Sequence, residues 1–213
     1  KDFITDTPYQ GASSYDEALV MRLFDESDGG SSQIKKDGRY ANVIHRSKGV
    51  VPRIESRQGF ETKIYGAEFL KEIESFEPCV LHGELTISYD GVNDIERKTS
   101  NGIITSLIAI GAKIEDGVDI AKDQIKFFKR HGKTYQSMLD CVIYTVWDRI
   151  TLDEYYEAVS FVPYYARINT LMAEVYVCKT DKVRLIEGKT VFSLDEAQQH
   201  FREALHRGEE GTV

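Results

Sequence analysis

The chain has 213 residues, 41% of them hydrophobic and 29% charged, which is ordinary globular usage at a length that can bury its own core. It has no apolar run of about 18 residues, which excludes a membrane-spanning helix, and its net charge of −8 excludes a surface that coats nucleic acid indiscriminately. Three cysteines (Cys79, Cys141, Cys178) without a C-x-x-C pair, and five histidines without H-E-x-x-H spacing, predict buried thiols in a reducing compartment. They support neither a disulfide framework nor a transition-metal site.

Taken in chain order, Lys1-Asp2-Phe3-Ile4-Thr5-Asp6 lacks the charged-then-apolar order of a secretory signal, so the expected location is the cytoplasm. Asp25 to Ser32, with its Asp28-Gly29-Gly30-Ser31-Ser32 core, reads as a loop before the first strong strand. β-Branched and aromatic residues predict strands near 33–36, 39–46, 50–56, 79–88, 141–147, 182–187 and 210–213, by their period of two and their flanking turn residues. Apolar residues at helical spacing predict helices over 67–76, 103–110, 120–130, 164–175 and 194–205. Ser193 before Leu194-Asp195-Glu196 marks the start of the last helix, with a hydroxyl cap and an acidic first turn; Gly208 marks its stop. The mixture predicts one α+β domain. Within 122–133, Lys122, Lys126, Lys129, Arg130 and Lys133 recur near helical spacing, either as a local basic groove or as a solvated face.

The chemistry centres on Lys35-Lys36-Asp37-Gly38. A lysine that attacks phosphorus must shed its proton and needs a site that holds phosphate in line. Lys35 follows the apolar Ile34 and precedes a glycine that lets backbone approach closely, while Lys36 and Arg39 add positive charge. Alone, the pattern is weak. It is followed in order by Ser56-Arg57-Gln58-Gly59, Gly83-Glu84-Leu85, Tyr144-Thr145-Val146-Trp147-Asp148, Pro163-Tyr164-Tyr165-Ala166-Arg167 and Glu210-Gly211-Thr212-Val213, an arrangement chance does not produce.

This ordered series resembles the covalent nucleotidyltransferase superfamily of DNA ligases, RNA ligases and mRNA capping enzymes. It is most similar to the ATP-dependent DNA ligases of T-even bacteriophages, which Ala12-Ser13-Ser14-Tyr15-Asp16-Glu17, Ser100-Asn101-Gly102-Ile103 and Leu194-Asp195-Glu196-Ala197 also resemble. The resemblance implies an α+β nucleotidyltransferase fold, ATP-grasp-like, of antiparallel sheets flanked by helices, and an adenylation domain over 1–213. It implies ATP and Mg2+ as cofactors and nicked duplex DNA as partner, in a monomeric protein serving replication, repair or recombination in a phage-infected cell's cytoplasm.

Residue by residue, the resemblance makes Lys35 the nucleophile that takes up AMP as a phosphoramidate. Gln33 would offer its amide to adenine, with Ile34 and Arg39 beside the nucleotide. Arg57 would bind phosphate, and Arg167 would buttress the site or reach the nick. Glu84 and Glu210 would face ribose and a magnesium ion. Tyr144 is the expected adenine-stacking aromatic, with Trp147 as support.

The chain departs from the family pattern in three ways. Tyr40 stands where K-x-D-G-x-R has arginine, and His82 stands where D-G-E has aspartate. The family's two further lysines and its OB-fold domain do not appear before Val213, so the polypeptide is expected to be weakly active or inactive by itself. The alternatives are an RNA ligase or capping-type enzyme, a non-catalytic nucleic-acid-binding relative, or a nucleotide sensor.

Overall fold

A computed structural model describes residues 15–213; the readings of Lys1 to Asp6 and of Ala12 to Ser14 fall outside them. In chain order the elements are α1 (Glu17–Glu26), β1 (Gly30–Gln33), β2 (Arg39–His45), β3 (Arg53–Glu55), α2 (Glu68–Ile73), β4 (Cys79–Ile87), α3 (Arg97–Glu115) and α4 (Ala121–His131). They continue as α5 (Tyr135–Leu139), β5 (Val142–Ile150), α6 (Leu152–Glu157), α7 (Tyr164–Cys178), β6 (Val183–Leu185), β7 (Gly188–Val191) and α8 (Leu194–His206). This is an α+β chain whose described residues form two compact units, one from Gly38 to Leu185 and one from Tyr15 to Asp37 together with Ile186 to Val213.

The larger unit is a five-stranded sheet in the order β3-β2-β4-β5-β6. Its neighbours are antiparallel, as expected, except for the edge strand β6, which runs parallel to β5. Side chains alternate across it. Ala41, Val43, Leu81, Leu85, Val142, Tyr144 and Val146 share one face and pack with Phe69 and Leu70 of α2 and Ile103, Ile104 and Leu107 of α3. The opposite face begins apolar, with Ile44, Val80 and Ile150 under Tyr155 of α6. It turns polar toward the start of β2, where Tyr40 is paired with Glu84 and Asn42 with His82.

α3 starts well before its apolar stripe because the Glu96 side chain accepts hydrogen bonds from the Lys98 and Thr99 amides, both at 2.9 Å. Near its end, a Cβ at Gly111 would overlap the Lys63 carbonyl. Backbone cannot give way as a side-chain tip can. Gly111→Ala is therefore expected to lower stability by about 1–3 kcal/mol, the usual range for overpacking, which chemical denaturation would measure directly.

The smaller unit pairs β1 antiparallel with β7 and adds α1 and α8. The Gly-Ser run read as loop is partly strand: Ser32 is buried on β1, its Oγ 2.8 Å from Nδ1 of His200 in α8. That helix starts as its sequence predicts, with the Ser193 hydroxyl accepting from the Glu196 amide at 3.2 Å, and Gly208 follows it in the left-handed region at φ 84°.

Candidate functional site

In the smaller unit the last residues run beside the strand that leads to Lys35. Gln33 and Val213 exchange two backbone hydrogen bonds of 2.8 Å, and the Lys35 amide donates to the Gly211 carbonyl at 2.9 Å. Ile34 is buried at 4% exposure and bridged to Thr212. This register brings the Lys35 ammonium to 2.6 Å from Glu210 Oε2, across 175 positions of sequence. Both side chains remain partly open to solvent, at 53% and 31%.

In the larger unit a second group of predicted residues meets on the polar face of the sheet. Arg57 lies over the Tyr40 ring at 5.5 Å, and the Trp147 ring is 5.9 Å from Tyr40 at an interplanar angle of 43°. Behind them, Asn42 Oδ1 accepts from the Tyr40 hydroxyl at 2.6 Å and sits 2.7 Å from His82 Nδ1, a geometry that requires the Nδ1–H tautomer. His82 and Asn42 are fully buried. Burial pushes the His82 pKa down to about 4, so the ring standing in the usual aspartate position is neutral.

Glu84 lies on the same face and accepts the Gly38 backbone N–H. A Cβ at Gly38 would stand 2.7 Å from the Leu85 carbonyl, so glycine is required there by close approach to β4 and not by a left-handed turn. Among the described residues no group of three or more His, Cys, Asp or Glu could hold a metal ion. Magnesium keeps waters and substrate phosphates as ligands and needs only one or two carboxylates. The donor set therefore fits an ion carried in by phosphates, and not a cage built by the protein.

Neither a protein-family model nor a curated protein sequence matches the chain. Solved structures do. The ATP-dependent DNA ligase from bacteriophage T7, in complex with ATP, is similar over 100% of this chain, with a TM-score of 0.66 and 13% identity. A Lig E DNA ligase is similar over 87% (TM-score 0.53, 12% identity), and Chlorella virus DNA ligase-adenylate over 85% (TM-score 0.51, 16% identity). The fold is the ligase-type nucleotidyltransferase fold. The chain spans 64%, 54% and 51% of those three proteins.

Three expectations change once the geometry is known. Tyr144 does not stack on a ligand: it is paired with Leu85 on the core face of the sheet, has no exposed surface, and places its hydroxyl 2.9 and 2.8 Å from the Ala41 and Leu81 carbonyls. A bulge between His82 and Gly83 shifts the β4–β5 register, and the ring on the Glu84 side of the sheet is Trp147. Arg167 does not reach outward, since Nε and Nη2 grip both oxygens of the fully buried Asp148 at 2.8 Å and Nη1 donates to the Val162 carbonyl. It buttresses the segment carrying Trp147, helped by the Tyr164 hydroxyl on the Trp147 carbonyl at 2.6 Å. Arg39 donates to Thr105 of α3 at 3.1 Å, which turns it toward the helix-covered side, away from the face that holds Tyr40.

Sequence reasoning missed Asn42 and Asp148 as parts of this construction. The available signal was polar residues inside otherwise apolar strands, which are seldom buried unpaired.

Proposed function

We propose that the chain is the adenylation module of an ATP-dependent DNA ligase in the covalent nucleotidyltransferase superfamily, nearest in kind to the T-even phage enzymes, and that Lys35 is its nucleophile. The observation that carries this reading is the pairing of Lys35 with Glu210 in a chain whose fold is shared with ATP-dependent DNA ligases. The lysine Nζ attacks the α-phosphorus of ATP; a P–N bond forms, the bond to pyrophosphate breaks, and Nζ gives up a proton. AMP then passes to a 5′-phosphate at a nick, and attack by the 3′-hydroxyl releases it.

In this reading Trp147 stacks on adenine and Gln33 faces its edge, while Arg57 binds phosphate. Glu84 and Glu210 would each be able to offer a carboxylate oxygen to a magnesium ion, which would neutralise charge on the phosphates. Incubation with labelled ATP is expected to leave AMP on the chain and none on Lys35→Ala. A chain that labels equally after Lys35→Ala would refute the assignment. Joining assays on nicked DNA and nicked RNA with a longer form of the protein test the substrate, and activity on RNA alone would replace the DNA reading by an RNA ligase.

A further inference from the structure

The basic run between 122 and 133 takes no part in the sites described above. It forms α4 and the turn after it, closed by Gly132 in the left-handed conformation with its N–H on the Phe128 carbonyl. One side of α4 is committed to the fold: Phe127 is 4% exposed and meets Tyr135 edge-on at 6.2 Å. Asp123, the one carboxylate of the helix, is held by Lys113 at 2.8 Å.

The other side is cationic. At about 100° per residue, Lys122, Lys126 and Lys129 fall within about 60° of arc, with Arg130 about 40° further round. All four are exposed, and among the described residues none of them pairs with a carboxylate. This concentration stands in a chain whose net charge is −8. The three lysines span about 10 Å of helix at 1.5 Å per residue, the axial advance of about three phosphates on one strand of B-form DNA.

We propose that the outer face of α4 binds the sugar-phosphate backbone of duplex DNA through Lys122, Lys126 and Lys129, without reading sequence. The choice of duplex rests on the ligase reading above. The duplex is chosen over an anionic membrane on that reading alone, since Ile125 and Phe128, on the same helix as the lysines, are 57% and 52% exposed and only Phe127 of α4 is buried.

The test is titration of a labelled nicked duplex with the 213-residue chain over a range of salt, comparing it with the triple variant Lys122→Ala, Lys126→Ala, Lys129→Ala. Alanine preserves the helix, and AMP uptake from ATP, which needs no DNA, checks that the variant is otherwise intact. The slope of log K against log salt is expected to flatten by about 2–3, with a loss of affinity on the order of a hundredfold near 0.1 M salt. An unchanged slope, or a parent chain that does not bind the duplex, overturns the proposal. Loss of binding to phosphatidylserine vesicles with DNA binding intact would also overturn it, assigning the face to a membrane. AMP uptake by the parent with an unchanged slope removes only the α4 assignment; no uptake with a flattened slope removes only the ligase reading.

Discussion

Asp148→Ala is expected to lower the stability of the larger unit by roughly 3–5 kcal/mol, the range for removing one partner of a buried ion pair, and its melting temperature by on the order of 10 °C. Asp148 is fully buried; its oxygens accept from Arg167 Nε and Nη2 and from the Arg149 amide, each at 2.8 Å. Removing the carboxylate strands a guanidinium whose side chain is 11% exposed, and it is that uncompensated charge, more than the lost contacts, that destabilises. The double variant Asp148→Leu, Arg167→Met should therefore recover much of the loss, as apolar replacements of buried pairs do. A double variant as unstable as Asp148→Ala would show that the hydrogen-bonded geometry matters for its own sake. Chemical denaturation of the three proteins decides it.

Tyr144→Ala is expected to destabilise by about 3–5 kcal/mol, as for other large aromatic side chains deleted from cores. The Tyr144 ring fills the space between Phe69, at a centroid distance of 5.5 Å, and the Cα of Gly83, where an added Cβ would meet the ring at 2.6 Å. Tyr144→Phe removes only a hydroxyl shared between two carbonyls and should lose about 1 kcal/mol. These effects separate structure from ligand binding. Tyr144→Phe should leave the concentration of ATP required for half-maximal AMP uptake unchanged, whereas Trp147→Ala should raise it on the order of tenfold, the loss of one stacked base. The reverse ranking would return the stacking role to Tyr144.

Much of the larger unit was legible in the chain. Its strands announced themselves by alternation, and β4 and β5 lie within a few residues of the predicted ranges. The Ser193 cap and the Gly208 stop were legible because each acts through neighbours only a few residues away. β1 was not, because its Gly30-Ser31-Ser32 composition is that of a loop and only pairing with β7 makes it strand.

The same division holds for the candidate site. Lys35 and Glu210 could be named from their order in the sequence, but their meeting depends on the backbone register between Gln33 and Val213. Choosing between Tyr144 and Trp147 required knowing which face carries the site: alternation puts the two on opposite faces, and the pairing of Tyr144 with the core residue Leu85 decides which is which. The partners of Arg167 were hidden for a related reason: Asp148, 19 positions away, is on the same buried side only once α7 packs on β5.

The role of Lys35 is tested most directly by intact-mass spectrometry of the chain after long incubation with ATP and magnesium, followed by peptide mapping. A nucleophilic Lys35 predicts a single AMP, slowly acquired, on the peptide that contains Lys35, and none on Lys35→Ala. AMP on a different residue, or an equal adduct on Lys35→Ala, would contradict it.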